Sequence, residues 1–225
     1  MTAVSLAPTP ITEELAAYVV AHAGGRDDAL TAVERDTAAL GGKAAMQTSP
    51  EQAALLELLA RMLRAERAIE VGTFTGYGAI RIARGLAPGG SLLCCEIDEH
   101  WADVARRNAD AAGVGDRVEI RLGPALETLR ALPSEPAFDL AYLDADKASY
   151  PDYYAELVPR LRPGGVLAID NVLLGGRIVD PAEDDNGAHA VAGLNDHILT
   201  DDRVDSVLLG MADGLTLVRR RETAG

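Results

Sequence analysis

From Ala68 onward the chain alternates short apolar runs with amphipathic segments, and this alternation constrains the fold more than any other feature. "AIEVG" reads as a strand and "YGAIRIARGL" as a helix. "SLLCCEID" and "EHWADVARRNADAAG" repeat the unit, as do "RVEIRLG" with "ALETLRAL" and "FDLAYLDAD" with "YPDYYAELVPRL". A fifth strand, "GVLAIDN", follows a turn at Pro163-Gly164-Gly165. Strands spaced by helices in this way make a parallel sheet with helices on both faces. The end differs: "RVDSVLLGM", a short "ADG" turn and "LTLVRRR" read as a hairpin, so one strand runs antiparallel.

The first 45 residues read as helical and carry no strand. Thr9 and Pro10 have the chemistry of a cap and a first helical position, and a second helix is expected over 27–40. In "SPEQAALLELLARMLR", Ser49, Pro50 and Gln52 match a capping box. Leu55, Leu56, Leu59, Met62 and Leu63 then recur at helical spacing, which predicts a face packed on something flat and apolar. Residues 1–225 are expected to form one domain, with 1–66 as a helical cap and 67–225 as the sheet.

A formal net charge of −14 argues against a nucleic-acid partner, whose affinity rests on clustered cations. No apolar run approaches the roughly 20 residues of a membrane span. The opening stretch lacks a basic start and a long apolar run, so no secretory leader is expected and the location read from it is cytoplasmic. Cys94 and Cys95 are adjacent on a strand and point to opposite faces, which reads as two buried free thiols in a reducing compartment. His22, His100, His189 and His197 fall outside every motif and read as surface residues.

Polar residues gather where strands end. Glu70 closes strand one, Glu96 strand two, Asp144 strand four, and Asp170 with Asn171 strand five. A parallel sheet brings these to one edge, where open α/β sheets bind ligands. Any one of them alone would read as a cap or turn former. The turn "EVGTFTGYG" carries Gly72, Gly76 and Gly78 spaced G-x-x-x-G-x-G, unlike the dinucleotide fingerprint G-x-G-x-x-G. Gly72 lets a ligand approach the backbone, and the following helix presents free amides. Glu70 opposes a pyrophosphate there and suits a cationic ligand, while Glu96 is placed to accept from ribose hydroxyls. A nucleoside bearing positive charge in place of phosphates points to S-adenosylmethionine.

Lysine usage adds a second clue. Of 21 basic residues only Lys43 and Lys147 are lysines, and Lys147 lies three residues after Asp144. An amine can give up its proton and take it back, whereas a guanidinium effectively cannot.

Taken in order, "MQTSPEQ", "EVGTFTGYGA", "CCEID", "GPALETL", "LDADKASY" and "GGVLAIDNVLLGG" resemble the cation-dependent O-methyltransferases, the caffeoyl-CoA and catechol O-methyltransferase family, and its bacterial members in particular. The resemblance runs from about Met46 to the C-terminal hairpin. It implies an α/β, Rossmann-like class I methyltransferase fold, with a mostly parallel seven-stranded sheet, a C-terminal antiparallel hairpin and N-terminal helices. Glu70 and the backbone at Gly72 and Thr73 would hold the methionyl part of S-adenosylmethionine, with Gly76 and Gly78 of the same turn also in the cofactor site. Glu96 would bind the ribose and Ala125 would lie beside the adenine, with Thr48, Asp144 and Asp146 as further contacts. Asp144, Asp170 and Asn171 would ligate a divalent cation, and Lys147, beside Asp144, would take the proton from the substrate hydroxyl. Two carboxylates and an amide oxygen form a hard, all-oxygen set that suits magnesium, with manganese or calcium also accommodated, and disfavours zinc.

The acceptor so implied is a small vicinal dihydroxyaromatic. The helices before Ala68 would cover its pocket and contribute to a homodimer. Met46 and Tyr150 are candidates for the pocket wall, and the acidic, glycine-rich stretch 173–191 for its rim. Three positions depart from the family pattern. Gly78 stands where many relatives carry a cofactor-contacting serine, Ala53 and Ala54 where a Gly-Gln pair is common, and Gly175 where the plant enzymes place an acyl-contacting asparagine. The last weakens caffeoyl-CoA itself as the acceptor. Rival readings fit worse. A nicotinamide-dependent oxidoreductase lacks its fingerprint, a non-catalytic S-adenosylmethionine-binding scaffold needs neither metal ligands nor Lys147, and a macromolecular methyltransferase sits badly with the acidic charge.

Overall fold

The structure, a computed structural model, describes residues 9–222. Its seven strands are β1 (Arg67–Val71), β2 (Ser91–Glu96), β3 (Val118–Leu122), β4 (Phe138–Leu143), β5 (Leu161–Asp170), β6 (Val204–Leu209) and β7 (Leu215–Arg220). They form one sheet in the order β3-β2-β1-β4-β5-β7-β6. The first five pair in parallel, and β7 runs antiparallel to both β5 and β6. All six residues of β4 are buried, as a central strand covered on both faces requires.

Helices follow the strands as the alternation predicts: α4 (Tyr77–Gly85), α5 (Glu99–Ala111), α6 (Ala125–Ala131) and α7 (Tyr150–Arg160). Before β1 come α1 (Glu13–Ala21), α2 (Asp28–Ala38) and α3 (Pro50–Leu63); α8 (Asn186–Thr200) precedes β6. Successive strand residues serve opposite cores. Ala68, Cys94, Leu140 and Tyr142 pack with Leu56 of α3 and Ile80 of α4, whereas Ile69, Cys95, Leu143 and Ile169 pack with Leu129, Leu157 and Leu194 from α6, α7 and α8. The adjacent cysteines therefore enter different cores, both buried and free. All four histidines are exposed. Among the described residues no helix is long and apolar enough to cross a membrane.

Several local expectations change. Thr12, not Thr9, caps α1, accepting from the Leu15 amide. Residues 1–8 of the opening stretch lie outside the described part. Asp27 caps the second helix, which stops at Ala38. Ser49 caps α3 with Pro50 at its first position, as the motif predicts, but Met62 is 71% exposed. The Pro163-Gly164-Gly165 stretch is no turn before β5. The strand starts at Leu161, and the register shifts between Phe138 and Leu140, so the proline and the positive-φ Gly164 form an irregularity inside it. The stretch 173–191 is not wholly a rim either, since α8 begins at Asn186 with Asp185 as its cap.

Candidate active site

Strand order reverses between β1 and β4, and at their carboxyl ends the chain leaves in opposite directions, opening a crevice. The two walls meet closely. Asp144 donates its amide to the Val71 carbonyl at 2.9 Å, and Gly72, at φ +89°, lies so near that a Cβ there would stand 1.9 Å from the Asp144 carbonyl oxygen. A cavity of about 930 Å³ opens above them, within the range of small-molecule sites. Every residue singled out above for cofactor, metal or proton transfer lines it, except Glu70 and Gly76.

Glu70 is 1% exposed and sits behind Gly78, whose position would bring a Cβ within 2.6 Å of Glu70 Oε1. Burial pushes its carboxyl up to about 8, so near neutral pH it is largely uncharged rather than a negative face toward a ligand. Gly76 precedes α4 at φ +86°, against Ala105 of α5, which is a packing role. Glu96 stays at the cavity wall. Its Oε2 accepts from the Thr73 and Phe74 amides at 3.2 and 2.8 Å, and its Oε1 from those of Ile97 and Asp98 at 2.8 and 2.9 Å. These bonds fix the orientation of the carboxylate at the cavity wall.

The polar corner lies at the ends of β4 and β5. Lys147 Nζ donates to Asp144 Oδ1 at 2.9 Å and to the Tyr150 hydroxyl at 2.6 Å. Burial pushes the Asp144 carboxyl up; the Lys147 charge opposes this and the Asp170 charge adds to it. Asp170, 2% exposed, accepts from Gln52 Nε2 at 2.7 Å and the Asn171 amide at 2.6 Å through Oδ1, and from the Tyr142 hydroxyl at 2.7 Å through Oδ2. Asn171 adopts φ +53° and donates Nδ2 to Asp213 Oδ2 at 3.4 Å. Asp146 accepts from the Tyr153 hydroxyl at 2.8 Å.

This donor set fits a hard dication. Asp144 Oδ2 receives no protein donor among the described residues, one acceptor site of Asp170 Oδ2 remains, and the Asn171 amide spends its nitrogen on Asp213, leaving its oxygen. Two carboxylates held at one corner with a single ammonium favour a cation between them.

The expected wall residues divide. Met46 lines the cavity, whereas Tyr150 is fully buried beneath Lys147. Gln52, Tyr142, Tyr153 and Asp213 were not anticipated from sequence as site residues. Tyr142 lies two residues before Asp144 on the same strand, and Asp213 lies in the β6–β7 turn that the antiparallel return brings beside Asn171.

Comparisons with known proteins identify the family and the fold. The O-methyltransferase family profile matches residues 21–221. The chain is 34% identical over 214 residues to a catechol O-methyltransferase of Niastella koreensis, covering 92% of this chain and 96% of that protein. It is 41% identical over 170 residues to the mouse catechol O-methyltransferase domain-containing protein 1, covering 74% of this chain and 65% of that protein. Among solved structures, the O-methyltransferase TomG from Streptomyces achromogenes, in complex with SAM, superposes with a TM-score of 0.85 at 31% identity, over 93% of this chain and 96% of that one. The Bacillus cereus O-methyltransferase, in complex with SAH, gives 0.84 at 33% identity, over 91% and 96%. The sheet is accordingly the Rossmann-like class I methyltransferase fold, and the chain belongs to the O-methyltransferase family.

Proposed function

We propose that the protein transfers a methyl group from S-adenosylmethionine to one hydroxyl of a small vicinal dihydroxyaromatic, with a divalent cation, magnesium by its ligand chemistry, held by Asp144, Asp170 and Asn171. The observation that carries this reading is the meeting of those three oxygen donors with Lys147 at the wall of a cavity that Glu96 and Ala125 also line. Relatives named for catechol methylation and neighbours bound to SAM or SAH support it.

When bound, the cofactor would supply an electrophilic methyl, and a cation held by Asp144, Asp170 and Asn171 would supply charge that lowers the acceptor's pKa. The chain's own residues do the rest. Gly72 and Thr73 let a ligand lie against backbone, with Thr48 and Asp146 at its edges. Glu96, held by four amides, presents a fixed carboxylate to a ribose, whose hydroxyls share its oxygens with those amides. Gly78 gives the space a serine would take to Glu70. A phenol titrates near pH 10 and is a poor nucleophile at neutral pH. Lys147, whose Nζ stands 2.9 Å from Asp144 Oδ1, is the group that would receive the phenol's proton. Asn171 keeps its oxygen aimed because Asp213 holds its nitrogen.

Residues 1–66 act as cap and dimer segment in this reading, within one domain. Ile11, just before α1, and Tyr18, on it, are 65% and 62% exposed, and Leu58 and Met62 are exposed on α3 against which α1 packs. An apolar surface of this kind suits a second copy of the chain. A cytoplasmic location is part of the same proposal, since both thiols are free.

Transfer of labelled methyl from S-adenosylmethionine to a panel of small catechols, with magnesium and with EDTA, tests the reading. Methylation that requires magnesium and stops with EDTA is expected. Methylation that persists in EDTA removes the cation from the proposal, and cofactor binding with no methylation of any catechol removes the acceptor class.

A further inference from the structure

Tyr142 is fully buried on β4, yet its hydroxyl joins Asp170 of β5 to Thr48, just before α3. It lies 2.7 Å from Asp170 Oδ2 and 3.2 Å from Thr48 Oγ. A carboxylate only accepts, so the single phenolic proton goes to Asp170. The Thr48 hydroxyl must then donate to Tyr142, which leaves Thr48 facing the cavity as an acceptor. On the other carboxylate oxygen, Gln52 Nε2 and the Asn171 amide both donate. The Gln52 amide is itself oriented, because its Oε1 accepts from Ser49 Oγ at 2.9 Å.

Three donors on a group with about four acceptor sites leave one lone pair, on Oδ2, and fix its direction. Gln52 and Tyr142 come from different elements, α3 and β4, so neither donor follows from the local conformation of Asp170 itself. A buried phenol needs one partner. Here it has two, Asp170 and Thr48.

We infer that Tyr142, assisted by Gln52, is a positioning residue that holds the Asp170 carboxylate for the divalent cation and ties that hold, through Thr48, to the cofactor side of the cavity. The inference rests on the cation site proposed above. It makes Tyr142 something other than core packing. A phenylalanine there keeps the ring and its contacts but frees Asp170 Oδ2 to rotate and releases the Thr48 proton. Residues that orient a metal ligand typically contribute 10- to 100-fold in metal affinity.

The test is equilibrium binding of Mn²⁺, read by the electron paramagnetic resonance of the free ion, to the wild-type chain, Tyr142→Phe, Gln52→Met and Asp170→Asn. Wild type is expected to bind one ion and Asp170→Asn to lose it. Tyr142→Phe and Gln52→Met are each expected to raise the Mn²⁺ Kd by about tenfold. In turnover assays the half-activating Mn²⁺ concentration for each should rise by the same factor, with kcat recovered at saturating ion. A merely structural role predicts a lower melting temperature with an unchanged Mn²⁺ Kd, and that result overturns the inference. Gln52→Met gives the same reading should Tyr142→Phe fail to fold. If wild type binds no ion, or Asp170→Asn binds as wild type does, the cation site itself fails and takes the inference with it. An intact site with a Kd unchanged in both variants refutes the positioning role alone.

Discussion

Gly72→Ala is the substitution for which the structure dictates the largest consequence per atom added. The new methyl would stand 1.9 Å from the Asp144 carbonyl oxygen and 2.8 Å from its carbon. Both are backbone atoms, so no side-chain rotation relieves the clash, and the ends of β1 and β4 must part by about 1.5 Å to restore ordinary contact. Overpacking of this kind costs about 1–3 kcal/mol, and holding alanine at φ +89° adds about 1–3 kcal/mol of backbone strain. The total, about 2–6 kcal/mol, corresponds to a melting temperature lower by roughly 5–20 °C for a chain of this size. The same displacement moves Asp144, and a misplacement near 1 Å costs on the order of 100-fold in turnover. Gly113→Ala is the control: Gly113 has φ +72° but no atom within 4 Å of the added Cβ, so it carries the strain alone. Thermal unfolding by circular dichroism and methyl-transfer rates compare the two. If Gly72→Ala melts with Gly113→Ala and keeps wild-type turnover, the close approach of β1 and β4 is not what builds this site.

Lys147→Met and Lys147→Arg should both lower kcat by about 10²–10⁴-fold while S-adenosylhomocysteine still binds, measured by calorimetry; an active arginine variant would contradict proton acceptance at this position. Glu70 has a folded-state pKa raised to about 8 from 4.5. The folded protein thus binds more protons than the unfolded chain between those values, and stability falls as pH rises, by at most about 1.4 kcal/mol per pH unit. Glu70→Gln removes that slope, so its melting temperature without cofactor should gain on wild type from pH 5 to 7.5; parallel curves would mean that Glu70 is not buried as a neutral acid. Tyr18→Glu should shift the chain from dimer to monomer in light scattering, and an unchanged mass would place the interface elsewhere.

Much of the sheet is readable from the chain because strand and helix periods alternate cleanly after Ala68, and acids closing parallel strands must share an edge. That places Glu96, Asp144, Asp170 and Asn171 around one cavity from sequence alone. What escapes notice is set by tertiary contact. The Gln52–Asp170 bond spans 118 positions, and nothing in "SPEQAAL" distinguishes a glutamine completing a capping box from one reaching a carboxylate. Glu70 reads as a charge at a strand end, but the lack of a side chain at Gly78 lets the wall close over it, and burial neutralises it. Helix α8 is obscured because its first turn, Asn186 and Gly187, continues the composition of the acidic stretch before it. Asp213 looks like ordinary turn chemistry until the antiparallel register, Asp170 opposite Leu215, carries that turn to Asn171.

The central claim is that Asp144, Asp170 and Asn171 form a cation site beside the cofactor. Crystals grown with Mn²⁺ and S-adenosylhomocysteine, measured at the manganese absorption edge, test it directly. The account predicts one anomalous peak within roughly 2.0–2.6 Å of a carboxylate oxygen from each aspartate and of Asn171 Oδ1, next to Lys147 Nζ. A peak elsewhere, or an occupied cofactor site with no peak at these three residues, would contradict it.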